Sequence, residues 1–311
     1  MASLDDFQRI IIPVLFLFTL LIFALSLPVL IVLVIFGNVY VKVVCSIYLV
    51  FYISGFLRKV TDRGGRRACQ WVRNWWLWKW LLNYFPVDLV KTADLSPDHN
   101  YLICIFPHGY LSIGAFLNFA SNHSKWSTLF PGIRPRLTSL VMNFNFPASR
   151  ELYLSLGKST VSAASLTALL TQSNDPRDPS NRDGCTASAV GLIVGGEREQ
   201  RIAANDTYKF VLKNRKGFVR IALKTGASLV PAISFGENNT FDLNGWRFRF
   251  NGRVPITTVV GAPIRVQKNP HPDDDEVNEV HELFCKAIRV LFEEHKGHYV
   301  ENSDKVQLEL V

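Results

Sequence analysis

The chain has 311 residues, of which 48% are hydrophobic, and a formal net charge of +8. This length accommodates one catalytic domain of ordinary size with an appended element. Five scattered cysteines without a CxxC pair argue against a disulfide framework and against a structural zinc site. A domain that faces the reducing cytosol is therefore the simplest interpretation of the cysteine pattern.

The apolar residues concentrate in the first sixty positions. Residues 10–36 carry no charge, and residues 39–57 form a second apolar stretch that only Lys42 interrupts. Because a span needs about 20 apolar residues, residues 1–60 are predicted to form a transmembrane hairpin with these stretches as its two spans. The alternatives are a hairpin that enters and leaves one leaflet, a single span followed by an interfacial helix, and a cleaved signal peptide, whose apolar core is only about 7–15 residues long.

A basic and tryptophan-rich segment follows at 61–98. Seven basic residues between Arg58 and Lys79 face a single acidic residue. Positive charge beside a span favours the cytosolic leaflet and its anionic lipids, so a membrane is favoured over nucleic acid, for which no binding motif is present. Within the run WVRNWWLWKWLL at 71–82, the tryptophans cannot all face one side of a helix. This pattern favours a membrane interface over the alternative of an ordinary core helix.

From residue 99 to 311, strand and helix patterns alternate. Short apolar runs predict strands at 101–106, 137–142, 189–194, 228–234 and 256–260. Helical periodicity occurs at 112–120, 149–156, 163–170, 216–225 and 273–295. A polar stretch at 172–187 has the composition of a surface loop. This alternation predicts a layered α/β domain with a mixed sheet.

The first candidate site is the segment IFPHGYLSIGAF. A predicted strand ends here, Pro107 restrains the backbone, and His108 and Gly109 begin the turn into a helix. Ligands in open α/β sheets bind at the carboxyl ends of strands, where a histidine can take the proton of a hydroxyl group. Gly109 lacks a Cβ, which allows a substrate or an oxyanion to approach the backbone. The alternative is a structural histidine that forms a hydrogen bond in the turn.

Two further segments are candidates for substrate contacts. In GLIVGGEREQ, a predicted strand ends in Gly195 and Gly196, which suits the approach of a phosphate or carbonyl group, and the charged residues that follow could orient His108 or hold a headgroup. The alternative is a plain turn with solvated charges. At the start of the helix predicted at 216–225, a basic cluster matches the phosphates of coenzyme A or is simply a solvated face; its members are Lys213, Arg215, Lys216 and Arg220.

Other common chemistries lack their sequence motifs. No GxSxG, HExxH or GxxxxGK[ST] motif is present, which argues against the most common hydrolases, zinc proteases and P-loop proteins. Ser112 and Cys104 lie near His108 in sequence, but neither occupies a recognised nucleophile turn. Cys104 is expected to lie in the core, on the same face of its strand as Phe106.

Together these segments resemble the diacylglycerol acyltransferase 2 family, which also contains monoacylglycerol and wax-ester acyltransferases. The resemblance extends from about residue 10 to the C-terminus, in the family's order. Its motifs are RNWWLWKWLLNYFPVDLVKT (73–92), FPHGYLSIGAFLNFA (106–120), PGIRP (131–135), VGGEREQ (194–200), NRKGFVRIAL (214–223), SFGEN (234–238) and PITTVVGAPI (255–264).

The resemblance implies an enzyme of the endoplasmic reticulum membrane that esterifies a glycerolipid hydroxyl, most typically that of diacylglycerol, with acyl-CoA. No cofactor is implied beyond this co-substrate, lipid droplets are a second possible location, and the oligomeric state is left open. Two catalytic residues are implied, His108 and Glu199. The residues predicted to bind substrate are Pro107, Gly109, Gly195, Gly196, Arg215, Lys216, Glu237 and Asn238.

The chain departs from the family pattern in two places. The family's His-Pro-His-Gly signature has Phe106 in place of its first histidine, so only His108 matches the catalytic position. Between SFGEN and PITTVVG the family has a longer segment, where this chain has only Asn239–Val254. The alternatives to a diacylglycerol acyltransferase are therefore a monoacylglycerol, wax or retinol acyltransferase, and a catalytically silent membrane or lipid-droplet scaffold.

The predicted mechanism is direct transfer of the acyl group. His108 deprotonates the acceptor hydroxyl, which attacks the thioester carbon, and no acyl-enzyme is formed. Backbone N–H groups near Gly109 and a nearby cation are expected to stabilise the tetrahedral oxyanion.

Overall fold

The computed structural model describes residues 4–63, 68–181, 183–244 and 247–311. Arg66 and Arg67 of the predicted basic cluster lie outside the described residues. The strands β1 to β11 are Val87–Lys91, Tyr101–Phe106, Ile133–Ser139, Ser159–Thr160, Ala187–Ile193, Tyr208–Phe210, Ser228–Phe235, Phe241–Asn244, Arg247–Phe250, Ile256–Val260 and Leu308–Leu310. The helices α1 to α11 are Leu4–Phe36, Val39–Leu57, Gln70–Arg73, Trp76–Tyr84, Ile113–Ala120, Trp126–Leu129, Pro147–Ser155, Ala163–Leu170, Gly196–Ile202, Gly217–Thr225 and Asp274–Tyr299.

Seven of these strands form a mixed sheet in the order β1-β10-β7-β2-β5-β3-β4. The strands from β7 to β4 in this order run parallel to one another, β10 runs antiparallel to β7, and β1 runs parallel to β10. The predicted α/β class with a mixed sheet is confirmed. Because β7, β2 and β5 are parallel neighbours, their carboxyl ends meet at one edge of the sheet, where ligands bind in folds of this kind.

The central strand β2 is buried on both faces of the sheet. All six residues of its sequence YLICIF are buried, as expected for a strand between two helical layers. Ile103 and Ile105 belong to one core, which includes residues of α5. Leu102, Cys104 and Phe106 belong to the other, which includes residues of α8, α10 and α11. Cys104 therefore lies in the core on the face of Phe106, as predicted.

The strand predicted at 137–142 lies earlier in the chain. β3 ends at Ser139, and Val141–Phe144 form a 3-10 turn. Pairing of Ile133–Leu137 with β5 decides the position of the strand, and this long-range interaction is not visible in the local apolar run. The three residues 140–142 are 44%, 52% and 60% exposed, so this run is surface and not core.

The tryptophan-rich segment is divided between the surface and the core. Trp71 and Trp76 are 72% and 76% exposed. Trp78 is buried, and its indole N–H donates to the Val72 carbonyl oxygen at 2.7 Å. Within the same predicted segment 61–98, β1 forms an edge of the main sheet. The segment is therefore part of the folded domain and also presents tryptophan side chains to the surroundings.

The N-terminal helices α1 and α2 are joined by Gly37 and Asn38 alone. The Asn38 side chain caps α2 by accepting the Val41 N–H at 3.0 Å. Ile11–Phe36 has a mean hydropathy of 3.0 and Val39–Leu57 one of 1.8, and only a small share of either stretch is buried. By length and composition, both helices could cross a membrane.

One end of α2 packs against the folded domain. The buried Arg150 guanidinium of α7 lies 5.3 Å from the ring centroid of Tyr52 and 5.1 Å from that of Phe56, within the range of cation–π attraction. The Tyr52 hydroxyl donates to the Asn145 carbonyl oxygen at 2.7 Å. A Cβ at Gly55 would collide with the Arg150 guanidinium. The hairpin and the domain therefore share a specific interface.

Replacing Gly55 with leucine is expected to weaken this interface. The new side chain occupies the place of the Arg150 guanidinium, which is 1% exposed and has no nearby solvent to move into. Overpacking of this kind costs about 1–3 kcal/mol, so thermal unfolding of the detergent-solubilised protein should shift to lower temperature. Val50→Leu, at a position of α2 that is 68% exposed, is the control. Equal melting temperatures for both variants would contradict the proposed role of the interface.

Candidate active site

The turn after β2 carries His108 at the carboxyl edge of the sheet. The parallel strands on either side, β5 and β7, end at Ile193 and Phe235. The segments that follow them therefore lie on the two sides of the His108 turn. Each of these segments contributes one buried carboxylate, Glu199 after β5 and Glu237 after β7.

The hydrogen-bond geometry assigns one tautomer to the His108 ring. Its Nδ1 lies 3.0 Å from the Gly109 carbonyl oxygen, and only a protonated nitrogen can donate to a carbonyl. The neutral ring therefore carries its proton on Nδ1 and has its lone pair on Nε2. Burial lowers the pKa of His108 from its ordinary value of 6.5. A ring that is neutral at pH 7 and has a lone pair on Nε2 can act as a general base.

Ser112 also contacts this ring, although it was not assigned to the site from the sequence. Its Oγ lies 3.3 Å from His108 Nδ1 and donates to the His108 carbonyl oxygen at 2.8 Å. The hydroxyl thus faces the protonated nitrogen and not Nε2, so it is not placed as a nucleophile that His108 activates. Ser112 has a φ of +54°, a left-handed conformation that is uncommon outside glycine. The four-residue spacing between His108 and Ser112 was the available sequence signal.

Glu199 supports the turn from the β5 side. Its Oε1 accepts the backbone N–H of His108 at 2.5 Å, and its Oε2 accepts that of Val211 at 2.8 Å. Burial raises the pKa of Glu199 to about 7, while the two N–H groups and the Arg215 charge act in the opposite direction. A Cβ at Gly195 would collide with the Glu199 carboxylate, which explains the glycine. Glu199 therefore positions the backbone of His108 and not its imidazole.

Glu237 supports the turn from the β7 side. Its Oε1 accepts the N–H of Ile113 at 2.6 Å and its Oε2 that of Gly114 at 2.8 Å, two donors that the first turn of α5 leaves without helical partners. Burial raises the pKa of Glu237 to about 7. Gly109 has a φ of +58°, and a Cβ there would lie 2.5 Å from Glu237 Cγ. The glycine is thus required for packing against Glu237, whereas an open path for a substrate was predicted at this position.

A cavity of about 310 Å³ opens beside the imidazole. His108 and Ser112 line one part of it, and Gly196 lines another. Gly196 has a φ of +57°, and a Cβ there would meet no described heavy atom within 4 Å. Of the two glycines predicted to bind substrate after β5, Gly196 therefore faces open space and Gly195 accommodates Glu199.

The same cavity is lined by Lys158, a residue that was not predicted to belong to the site. The residue lies just before the short strand β4 and is 6% exposed. Burial lowers the pKa of the Lys158 ammonium to about 8. A single lysine in the stretch LGKSTV has no motif around it, so no local signal distinguished it from a surface lysine.

The residues before His108 belong to the core. Phe106 is fully buried and stacks on Phe210 with ring centroids 4.9 Å apart. The aromatic residue in place of the family's first histidine therefore points away from the cavity. Pro107 is also buried, and the Phe106–Pro107 peptide bond is cis. Pro107 was predicted to contact substrate, and the structure places it between the core and the His108 turn.

The predicted basic cluster does not form one surface. Arg215 lines a second cavity, of about 760 Å³, together with Arg198 and Lys209. Lys216 Nζ donates to Asn278 Oδ1 at 2.6 Å, and the Arg220 guanidinium pairs with an α11 carboxylate at 2.6 Å. Lys216 and Arg220 thus contact α11, whereas Arg215 lines the second cavity and its charge lowers the pKa of Glu199.

Asn238 lies in a 3-10 turn, Glu237–Asn239, behind the His108 turn. Its Nδ2 donates to the Thr207 carbonyl oxygen at 2.7 Å. Asn238 is not among the residues that line the His108 cavity.

Among the described residues, no group of three or more His, Cys, Asp or Glu side chains is placed to hold a metal ion.

The short segment after SFGEN contains the two antiparallel strands β8 and β9. β8 pairs with β9 in an antiparallel register that sets Phe241 opposite Phe250. The Phe241 ring lies 5.3 Å from that of Tyr110, next to the His108 turn, and the Phe250 ring lies 5.9 Å from that of Phe85. The shortened segment is therefore packed against the site.

Comparison with known proteins is consistent with the resemblance found in the sequence. A sequence model of the family described as diacylglycerol acyltransferase matches residues 34–248 and 249–310. The two matched ranges meet inside the short β8–β9 hairpin, where the sequence analysis found the family's longer segment to be absent.

Several relatives match most of the chain. Diacylglycerol O-acyltransferase 2-like protein 6 of Mus musculus is 42% identical over 272 residues, which cover 76% of this chain and 77% of that protein. 2-Acylglycerol O-acyltransferase 3 of Homo sapiens is 39% identical and covers 76% and 75%. Diacylglycerol O-acyltransferase 2 of Mus musculus is 35% identical and covers 81% and 71%.

Among solved structures, the 1-acyl-sn-glycerophosphate acyltransferase PlsC of Thermotoga maritima is similar over 73% of this chain and 82% of its own, at 12% identity and a TM-score of 0.41. This likeness is too loose to bear on function. The family match and the relatives, by contrast, extend over both sides of the His108 turn. The chain is an acyltransferase and belongs to the diacylglycerol acyltransferase family.

Proposed function

We propose that this enzyme transfers the acyl group of acyl-CoA to the free hydroxyl of diacylglycerol, forming triacylglycerol. The observation that carries the proposal is the contact of 3.0 Å between His108 Nδ1 and the Gly109 carbonyl oxygen, beside a cavity of about 310 Å³. This contact assigns the ring proton to Nδ1 and leaves a lone pair on Nε2. Relatives named for acylation of diacylglycerol, of 2-acylglycerol and of wax alcohol support a lipid hydroxyl as the acceptor.

In the proposed reaction, His108 Nε2 takes the proton of the acceptor hydroxyl. The hydroxyl oxygen forms a bond to the thioester carbon, and the π electrons of the carbonyl move onto its oxygen. When the tetrahedral intermediate collapses, the C–S bond breaks and its electron pair leaves on sulfur. The imidazolium then returns the proton to the CoA thiolate. Ser112 stays outside this sequence because it contacts Nδ1.

The second cavity is the proposed site of the CoA phosphates. Its lining combines three basic side chains, Arg198, Lys209 and Arg215, and guanidinium groups bind phosphate oxygens in a bidentate manner. Val211 lines the same cavity, and its N–H shares the Glu199 carboxylate with the N–H of His108. Of the basic cluster predicted from the sequence, Arg215 belongs to this proposed phosphate site and Lys216 does not.

We place the enzyme in the membrane of the endoplasmic reticulum, with α1 and α2 embedded and the catalytic domain in the cytosol. The basic residues that follow α2 support this orientation. The hairpin is also close to the site, since the Phe23 ring of α1 lies 6.2 Å from that of Tyr153, which lines the His108 cavity. A lipid acceptor therefore has a short path from the bilayer to the base.

An acceptor panel tests the proposal. Membranes containing the enzyme are supplied with labelled acyl-CoA and, in separate reactions, with diacylglycerol, monoacylglycerol, a fatty alcohol or retinol. We expect triacylglycerol to form fastest. Faster transfer to another acceptor would replace diacylglycerol in the proposal. Membrane association without transfer to any acceptor would favour the alternative of a catalytically silent scaffold. The shortened β8–β9 segment is the feature that supports this alternative.

The pH profile should show the titration of His108. Because burial lowers the pKa of His108 below 6.5, the ring stays neutral down to mildly acidic pH. The rate should therefore fall only below pH 6.5, as the imidazole gains a proton and loses its basic lone pair. Initial rates of acyl transfer at saturating substrate measure this acidic limb. Because the pKa of Glu199 is about 7, the profile of Glu199→Gln is measured beside that of the wild type. A limb centred above pH 6.5 in both proteins would contradict the assignment of His108 as the base.

A further inference from the structure

Lys158 is a buried cation that has no ionic partner among the described residues. Its ammonium lies 4.2 Å from the ring centroid of Tyr153 and 5.4 Å from that of Phe116, so two aromatic rings provide cation–π contacts. In the part of the chain that the structure describes, no carboxylate lies within salt-bridge distance of it. Buried lysines are rare unless they are paired. The burial of Lys158 therefore indicates a functional role for its charge.

The acidic residues near the cavity are already engaged. Glu197, on the cavity lining, pairs with Arg201 at 2.6 Å. Glu199 and Glu237 each use both carboxylate oxygens to accept backbone N–H groups. Among the described residues, no free carboxylate remains to pair with the Lys158 ammonium, so we look for its negative partner in a bound molecule.

The ammonium and the imidazole line the same cavity. They are also linked through α5, because Phe116 lies beneath the ammonium and its backbone N–H donates to the Ser112 carbonyl oxygen at 2.9 Å. Residues four apart on a helix have neighbouring side chains, and the Ser112 side chain contacts the His108 ring. Lys158 and the base therefore face one cavity, and α5 carries a contact to each of them.

We propose that Lys158 stabilises the negative charge that develops on the thioester carbonyl oxygen when the acceptor hydroxyl attacks. This assignment rests on the proposed function and identifies the cation that the predicted mechanism requires. As the π electrons of the carbonyl move onto oxygen, a full negative charge forms within reach of the ammonium, in a site partly shielded from water. When the C–S bond breaks, the charge leaves on sulfur and the ammonium is again held only by its two rings.

A transient oxyanion fits this site better than a permanent anion. Lys158 is the one lysine or arginine among the described residues that line the cavity, whereas a phosphate monoester carries up to two charges at neutral pH. The aromatic contacts stabilise the cation in the absence of any ligand. One ammonium then matches one developing charge.

Lys158→Met tests the assignment, because methionine is a similar unbranched side chain without the charge. We expect kcat to fall by about 100-fold, the size of effect found when one oxyanion donor is removed, with little change in the KM for diacylglycerol. Removing an unpaired buried charge should leave the melting temperature unchanged or raise it, which separates this effect from misfolding. Lys224→Met, at an exposed position of α10, is the matched control and should retain full activity.

The basic limb of the pH profile provides a second readout. The wild-type rate should fall as pH rises through about 8, where the ammonium loses its proton, and Lys158→Arg should retain activity at higher pH because arginine stays charged. The other titratable groups that line the cavity are His108, Tyr110, Tyr153 and Glu197. Identical basic limbs in the wild type and in Lys158→Arg would overturn the assignment.

Two further outcomes would also overturn it. If Lys158→Met transferred acyl groups to diacylglycerol at the wild-type rate, the charge would have no part in the reaction. If it lost activity only toward an acceptor with a phosphate group, such as lysophosphatidate, and did so through KM, Lys158 would be a headgroup site. A wild-type protein inactive with every acceptor would instead reject the proposed function, and the oxyanion role with it.

Discussion

His108→Ala is expected to lower the rate of acyl transfer by about 10²- to 10⁴-fold, the contribution typical of a general base. The substitution removes Nε2. The described residues that line the cavity include no second histidine that could replace it as the base. The backbone of the turn should remain in place, because its hydrogen bonds to Glu199 and Ser112 use the His108 main chain. The loss should therefore appear in kcat, and the melting temperature should change little.

The control for this variant is His99→Ala. His99 is exposed and lies in the segment before β2, so its loss should affect neither the rate nor stability. Transfer of labelled acyl groups to diacylglycerol is measured for both variants in the same membranes. Wild-type rates in His108→Ala would remove His108 from the mechanism.

Glu199→Gln is expected to disturb the turn without touching the imidazole. The amide retains one oxygen acceptor but turns an NH₂ group toward either the His108 or the Val211 N–H. A buried donor without an acceptor costs about 1–3 kcal/mol. Because a shift of about 1 Å in a catalytic group can lower the rate roughly 100-fold, we expect a large loss of kcat with little change in acceptor KM.

Stability as a function of pH reports the burial of the Glu199 carboxyl in the folded protein. The pKa of Glu199 in the fold, about 7, is above its ordinary value of 4.5. Between these values the unfolded chain has lost the proton and the folded chain retains it, so the contribution of Glu199 to the free energy of unfolding falls as pH rises from 4.5 to about 7. In Glu199→Gln, the decrease in melting temperature that the titration of Glu199 causes between pH 4.5 and about 7 should be absent.

Exposed Glu279→Gln on α11 is the matched control and should retain both activity and the wild-type pH dependence of stability. If Glu199→Gln retained full activity, the hydrogen bonds of Glu199 would not be needed to hold His108. A loss of activity together with an acceptor KM that rises strongly would assign Glu199 to substrate binding instead.

Local pattern was sufficient to predict the strands and helices whose own apolar residues have the length and period of that element. YLICIF was predicted as a buried strand, and ITTVV and the helix at 163–170 were found with the predicted bounds. Edge strands were missed, because β1 and β4 are short and acquire their hydrogen bonds from distant strands. The position of β3 was wrong for the same reason, since its partner β5 begins about fifty residues later in the chain.

Residue types alone therefore determined much about this protein: an apolar N-terminal hairpin, an α/β domain, and His108 at the carboxyl end of a buried strand, because hydropathy and periodicity are local properties. The ordered motifs identified the family. Only the tertiary structure decided how Glu199, Glu237 and Lys158 are used. These side chains come from segments far apart in sequence, and their hydrogen bonds, burial and pKa shifts exist only after the parallel strands bring them to one edge of the sheet.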